Sequence, residues 1–152
     1  MTYEIGKLLI NKKQFKKAYL IFSKLLDDKP NDFKANFQMG KMYYEINDLN
    51  KSIFYFKKSN KAQPNNPNIL CNLALALQGT RKVDKAKKIY LDLILINSKD
   101  VKSYYGLFIL DIKNITNQLL KNLELIMREN KISLFEKSLI NFMFSKLAKK
   151  ND

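Results

Sequence analysis

FKANFQMGKMYYEINDLNKSIFYFKKSNKAQPNN, residues Phe33 to Asn66, is one complete unit of this chain, because its key residues recur one period before it and one period after it. Gly40, Ser52 and Pro64 are its small or rigid positions; thirty-four residues upstream stand Gly6, Ala18 and Pro30, and thirty-four downstream Ala74, Ala86 and Ser98. The large apolar positions keep the same step: Ile5, Met39, Leu73; Leu9, Tyr43, Leu77; Phe15, Leu49, Val83; and Phe22, Phe56, Tyr90. Inside each period these residues fall at helical spacing. The unit therefore reads as two helices, and the chain as a stack of such pairs.

Working outward, helix A of the first unit spans about Thr2 to Asn11, with Ile5 and Leu9 on its core face and Gly6 at a close helix crossing. Helix B spans about Gln14 to Asp27 and buries Phe15, Ala18, Phe22 and Leu25. Pro30-Asn31-Asp32 stops it, since proline disfavours helical geometry in the residue before it and Asp32 caps the next helix. In the second unit Asn47-Asp48 is the internal turn. The third opens with Asn66-Pro67, an N-cap followed by proline at the first helical position, and turns at Gly79-Thr80. Beyond Ser98 the motif degrades. Tyr104, Leu107 and Phe108 keep an A-helix face, but strict register then falls on Asp111, Asn117, Leu120 and Glu124. Helical stripes persist at Ile115, Leu119, Leu123, Ile126 and Met127 and, after a break at Glu129-Asn130-Lys131, from Leu134 to Leu147.

A period of 34 built from helix pairs resembles the tetratricopeptide repeat over roughly residues 2 to 98. The resemblance implies an all-α fold: a right-handed α-solenoid of antiparallel helix pairs. Its parts are repeats at about 1–32, 33–66 and 67–100, divergent helices over 101–150 and a final helix, in one domain over 1–152. It implies binding and leaves the partner unnamed.

Composition narrows the function classes. With 46% apolar and 12% aromatic residues the chain has material for a core, and four Gly and three Pro leave its helices uninterrupted. It has no His and a single Cys71, which argues for a reducing compartment and against metal sites. The opening Met1-Thr2-Tyr3-Glu4 carries no legible secretory leader, and the most apolar run, Tyr90 to Ile96, is too short for a bilayer. A cytoplasmic protein without a membrane partner is expected. The formal net charge of +14 suggests an acidic partner. A biased codon usage rich in Lys, Asn and Ile explains it equally.

The family's concave surface maps onto Tyr3, Glu4, Lys7, Lys34, Phe37, Gln38, Lys41, Tyr44, Asn68, Cys71, Asn72, Gln78, Lys102 and Tyr105. The resemblance thus implies a basic, aromatic groove for an acidic or extended peptide, competing with an ordinary solvated surface. Chaperone-binding members hold a C-terminal carboxylate with basic and Asn residues. The corresponding positions here are Tyr3, Lys7, Gln38, Asn68 and Asn72, so most of that clamp is missing.

The outward runs Lys12-Lys13, Lys16-Lys17, Lys57-Lys58 and Arg81 to Lys88 would serve a salt-sensitive nucleic-acid binder, but interleaved exposed aromatics are not evident. No base, phosphate loop or metal cluster points to catalysis or a cofactor. The stretch from Asn66 to Ile94 and the tail from Asn130 are similar to repeat modules preceding bacterial sulfotransferase-type domains, which implies a non-catalytic front to a longer enzyme. The last helix, with Phe135, Phe142, Met143 and Phe144, is apolar around more of its girth than one neighbour covers. Further chain, a second copy or a partner is expected there, unless the helix folds back and buries both faces.

Overall fold

The computed structural model of the chain describes residues 2–129 and 132–151. Every regular element among them is helical, and the chain forms two compact units, Met1–Lys82 and Val83–Asp152. The first holds α1 (Thr2–Asn11), α2 (Phe15–Asp28), α3 (Phe33–Glu45), α4 (Leu49–Ala62) and α5 (Pro67–Gly79).

Local chemistry sets these boundaries. The Asp32 carboxylate accepts from the Ala35 N–H at 2.7 Å, Asp48 accepts from Lys51 N–H at 3.1 Å, and Asn66 accepts from Asn68 N–H at 3.0 Å ahead of α5. Each takes up an amide that the first helical turn leaves free. The helix ends are equally regular. Lys13, Asn47 and Arg81 adopt left-handed backbone with φ of 56°, 60° and 59°, one repeat period apart. Around each, two backbone bonds close the preceding helix: Lys13 N to Ile10 O and Gln14 N to Leu9 O, Asn47 N to Tyr44 O and Asp48 N to Tyr43 O, Arg81 N to Gln78 O and Lys82 N to Leu77 O. This is the Schellman arrangement, made with residues other than glycine.

The glycines act elsewhere. A Cβ on Gly6 would lie 2.7 Å from the tip of the Phe22 ring, and one on Gly40 would lie 2.5 Å from Cδ1 of Phe56. These absent side chains let α1 lie on α2 and α3 on α4. The second pair is further tied by buried Ser52, whose hydroxyl donates to Gly40 O at 2.9 Å, and by Ser59, which donates to Phe33 O at 2.8 Å. Phe22, Ala18, Ala35, Met39 and Met42 form the centre of one core cluster. Ile5 departs from expectation. It is 47% exposed whereas its counterparts Met39 and Leu73 are buried, because no described helix precedes α1 to cover it.

The second unit holds α6 (Val83–Ile96), α7 (Val101–Leu110), a 3-10 turn (Ile112–Asn114), α8 (Asn117–Arg128) and α9 (Leu134–Asn151). Val83, expected in the core, stands exposed at the first residue of α6. Tyr90, Leu93, Tyr104, Leu107, Leu123, Ile140 and Met143 are buried. The Tyr104 hydroxyl donates to Ser98 O at 3.0 Å, and Asn122 Nδ2 donates to it at 3.3 Å. A capping box starts α9: Ser133 N–H donates to Glu136 Oε2 at 2.9 Å while Glu136 N–H donates to Ser133 Oγ at 3.2 Å. The expected break before α9 falls partly on Asn130 and Lys131, which lie outside the described residues.

The final helix meets both α7 and α8. Met143, expected at an interface, is fully buried instead, and Phe142 sets its ring edge-on to Tyr105 at 6.2 Å and Phe108 at 5.9 Å. Phe144 is half-buried, while Leu134 and Phe135 remain exposed.

Candidate functional site

On the first unit, Tyr3 of α1, Phe33, Lys34, Phe37 and Gln38 of α3, the cap residue Asn66, and Asn68 and Ile69 of α5 line a pocket of about 230 Å3. Five of the residues expected on the concave face (Tyr3, Lys34, Phe37, Gln38 and Asn68) thus converge. Phe33, Asn66 and Ile69 were not among them.

Packing fixes the pocket walls. Tyr3 sets its ring edge-on against Phe22 at 5.8 Å, and Phe37 leans on Phe56 at 5.7 Å, so both rings are held from the core side. Gln38 Nε2 donates to the Tyr3 hydroxyl at 3.0 Å. Burial pushes the Tyr3 phenol above its ordinary value of 10.0, although the Gln38 bond opposes that shift. The Gln38 amide is 5% exposed, and its oxygen is buried without a hydrogen-bond partner. Lys34 lies 5.9 Å from the centre of the Phe33 ring and supplies the cation at the rim. The wall is therefore apolar and aromatic, with three amides and one ammonium.

Other expected residues stand outside this pocket. Lys7 is exposed, with Glu4 at 4.0 Å. Lys41 and Asn72 are half-buried, the latter donating through Nδ2 to Asn68 O at 2.7 Å, and Tyr44 is exposed. In the second unit Lys102 is exposed, and Tyr105 packs against Phe142.

The expectation that aromatics and lysines do not interleave on the outside is corrected. Phe54 is exposed with Lys58 over its ring at 5.5 Å, and Lys51 lies over Tyr43 at 5.2 Å. Phe54 faces solvent, whereas Tyr43 packs against the core cluster and is left half-buried at the surface.

Residues 33–66 and 67–100 each match the tetratricopeptide repeat. A crystal structure of MamA superposes with a TM-score of 0.72 at 19% identity, covering 95% of this chain and 85% of that one. A fragment of MamA from Desulfovibrio magneticus RS-1 gives 0.70 at 20% identity over 83% and 72%. YrrB, described as a TPR protein with an unusual peptide-binding site, gives 0.71 at 12% identity over 97% and 76%. In sequence, the uncharacterized protein ycf37 of Guillardia theta is 29% identical over 97 residues, 60% of this chain and about half, 54%, of that protein's length.

Residues 33–100 thus carry two tetratricopeptide repeats, and the described residues share the all-helical solenoid fold of MamA and YrrB. Members of this class are generally non-catalytic, and the fold supports a role as a protein–protein interaction scaffold. No helix among the described residues is long and apolar enough to cross a membrane.

Proposed function

We propose that the first unit is a peptide-binding module, in which an extended, carboxylate-bearing segment of a partner lies across α1, α3 and α5. One of its side chains enters the pocket between Tyr3, Phe37 and Ile69. The observation that carries this reading is the Gln38 amide, whose buried oxygen has no partner beside the pocket. An unmet buried acceptor costs about 1–3 kcal/mol, and a small rotation of the amide toward the pocket lets a peptide N–H offset that cost. If the amide is turned over, its NH2 faces the same gap and a carbonyl or carboxylate satisfies it. Lys34 adds attraction for a carboxylate at the rim, and Lys7, Lys41, Tyr44 and Asn72 provide flanking contacts on the same three helices. The peptide-binding site named for YrrB adds to this reading.

The test uses a labelled peptide alternating Leu and Glu, and its Gln counterpart, in an anisotropy titration. Lys34 and Asn68 are exposed, so their substitution leaves the core intact. Lys34→Glu is expected to weaken capture of the Glu peptide about tenfold or more, and Asn68→Ala by a smaller factor. Equal affinity in both variants and wild type, or equal affinity for the Glu and Gln peptides, overturns the reading.

A further inference from the structure

A second concavity on the first unit shares no residue with that pocket. Phe15, Lys16, Tyr19 and Leu20 of α2, with Met42 and Tyr43 of α3 and its C-cap Ile46, enclose a groove of about 540 Å3. Leu20 is 67% exposed, Ile46 45% and Tyr19 42%, so large apolar side chains here face solvent instead of the core. The patch runs on into α4, where Tyr55 stacks on Tyr43 at 5.4 Å and Phe54 meets Tyr55 edge-on at 5.1 Å. A contiguous apolar surface of this kind marks an interaction site more often than a lone exposed leucine does.

Charge decides what fits it. Lys12, Lys13, Lys16 and Lys17 are all exposed at the start of α2, and the first turn of that helix carries no acid. The acids on the opposite side are Glu45 and Asp48, and Asp48 is already held by Lys51 at 3.0 Å. An apolar floor with a cationic rim suits an amphipathic segment whose apolar side chains fill the groove while its carboxylates meet the lysines. A second copy of this chain fits less well, since the acids that its own patch brings to a two-fold contact are Glu45 and Asp48, and Asp48 is already held by Lys51. Stacking bases fit poorly as well, because Tyr43 and Tyr55 cover each other's faces and Lys58 lies over Phe54.

We propose that the α2–α3 groove is a second docking surface, taking an acidic amphipathic helix of a partner protein with a leucine or phenylalanine as its anchor. Leu20, Tyr19 and Ile46 grip the anchor, and Lys16 with its neighbouring lysines holds the acidic face. The site works independently of the Gln38 pocket, so one chain engages two segments at once.

The experiment titrates the full isotope-labelled chain with a peptide of about four turns carrying Leu and Phe on one face and Glu on the other, followed by amide chemical shifts. Shifts are expected at Lys16, Tyr19, Leu20, Tyr43 and Ile46. Affinity is expected to fall about tenfold or more in Leu20→Glu, to fall with added salt, and to stay unchanged in Lys34→Glu. A peptide with Lys in place of Glu is expected not to bind. Leu20 is exposed, so loss of folding is not anticipated; Ile46→Lys repeats the test from the other wall, and circular dichroism checks both variants. The proposal is overturned by absence of binding, by shifts confined to the Tyr3 to Asn68 pocket with loss in Lys34→Glu, or by tighter binding of an oligothymidine at the same residues.

Discussion

In the first unit a glycine comes before the ring that covers it, Gly6 before Phe22 and Gly40 before Phe56, with both partners in one helix pair. In the second unit the order is reversed: Tyr90 of α6 covers Gly106 of α7, and a Cβ there would lie 2.4 Å from the ring. The turns differ too. Residues 13, 47 and 81 are left-handed, but the next position at that step is Ile115, with φ of −83°. A β-branched side chain is a poor occupant of left-handed backbone. The chain leaves α7 through an extended Asp111 and a 3-10 turn instead. The close approach of two helices through a small residue thus survives where the 34-residue register does not, and the register fails at a backbone conformation as well as at the core.

The largest test of that comparison is Gly40→Ala. Its Cβ meets Phe56 at Cδ1 and Cγ, near the base of the ring, so the ring has little room to swing aside. A loss of about 3 kcal/mol is expected in urea unfolding, well beyond alanine's helix-propensity gain of about 1 kcal/mol. Gly106→Ala and Gly6→Ala meet ring tips and are expected to cost less; equal losses at all three would break the distinction. Next comes Ser52→Ala, at about 1 kcal/mol. Ala18 and Ala86 occupy the same repeat position, so alanine fits sterically and the loss isolates the hydroxyl's bond to Gly40 O.

A smaller and opposite effect is expected from Arg81→Gly and Lys13→Gly. Relief of left-handed strain exceeds the entropic cost of glycine, for a net gain of about 0.5 kcal/mol. Asn47→Gly should gain less, since asparagine tolerates that conformation, and Ile115→Gly should gain nothing. Stabilisation by Ile115→Gly would mean the second unit also needs a left-handed turn.

The mildest effect is on the alkaline side. Burial raises the phenols of Tyr3, Tyr43 and Tyr55 in the first unit and of Tyr104 in the second above 10.0. A raised phenol keeps its neutral form in the fold, so its contribution is complete below pH 10.0 and is lost as pH rises from there through the folded value. Stability should decline above that pH, with amide exchange rising more in the first unit than in the second. Equal loss of protection in the two units, once the intrinsic base-catalysed rate is divided out, would contradict it.

Much of the fold was legible because a period marks which positions face a neighbour. The close crossing at Gly6 and the caps Asp32 and Asn66 follow from it directly, whereas the rings that cover Gly6 and Gly40, Phe22 and Phe56, come from the structure. Ile5 misled because the period describes a middle repeat, whereas α1 has no described helix on one side. Gly106 was hidden because it sits two residues off strict register from Ala74, at the place of Gln38 and Asn72. In the candidate site, Phe33 and Asn66 were read as a helix start and a cap, roles that conceal their second face. The α2–α3 groove was invisible since Phe15 and Tyr43 sit at core positions, and spacing tells which way a side chain points without telling how completely it is covered.

The left-handed turns also bear on how the protein is taken apart. None of the four glycines has positive φ, so the strained turn positions fall to other residues, and two of the three repeat turns are basic: Lys13 and Arg81. Both are exposed at helix ends, where a backbone opens most readily to a protease. An enzyme that cleaves after lysine and arginine therefore finds bonds spaced two whole periods apart, and the excised fragment begins with α2 and ends with α5.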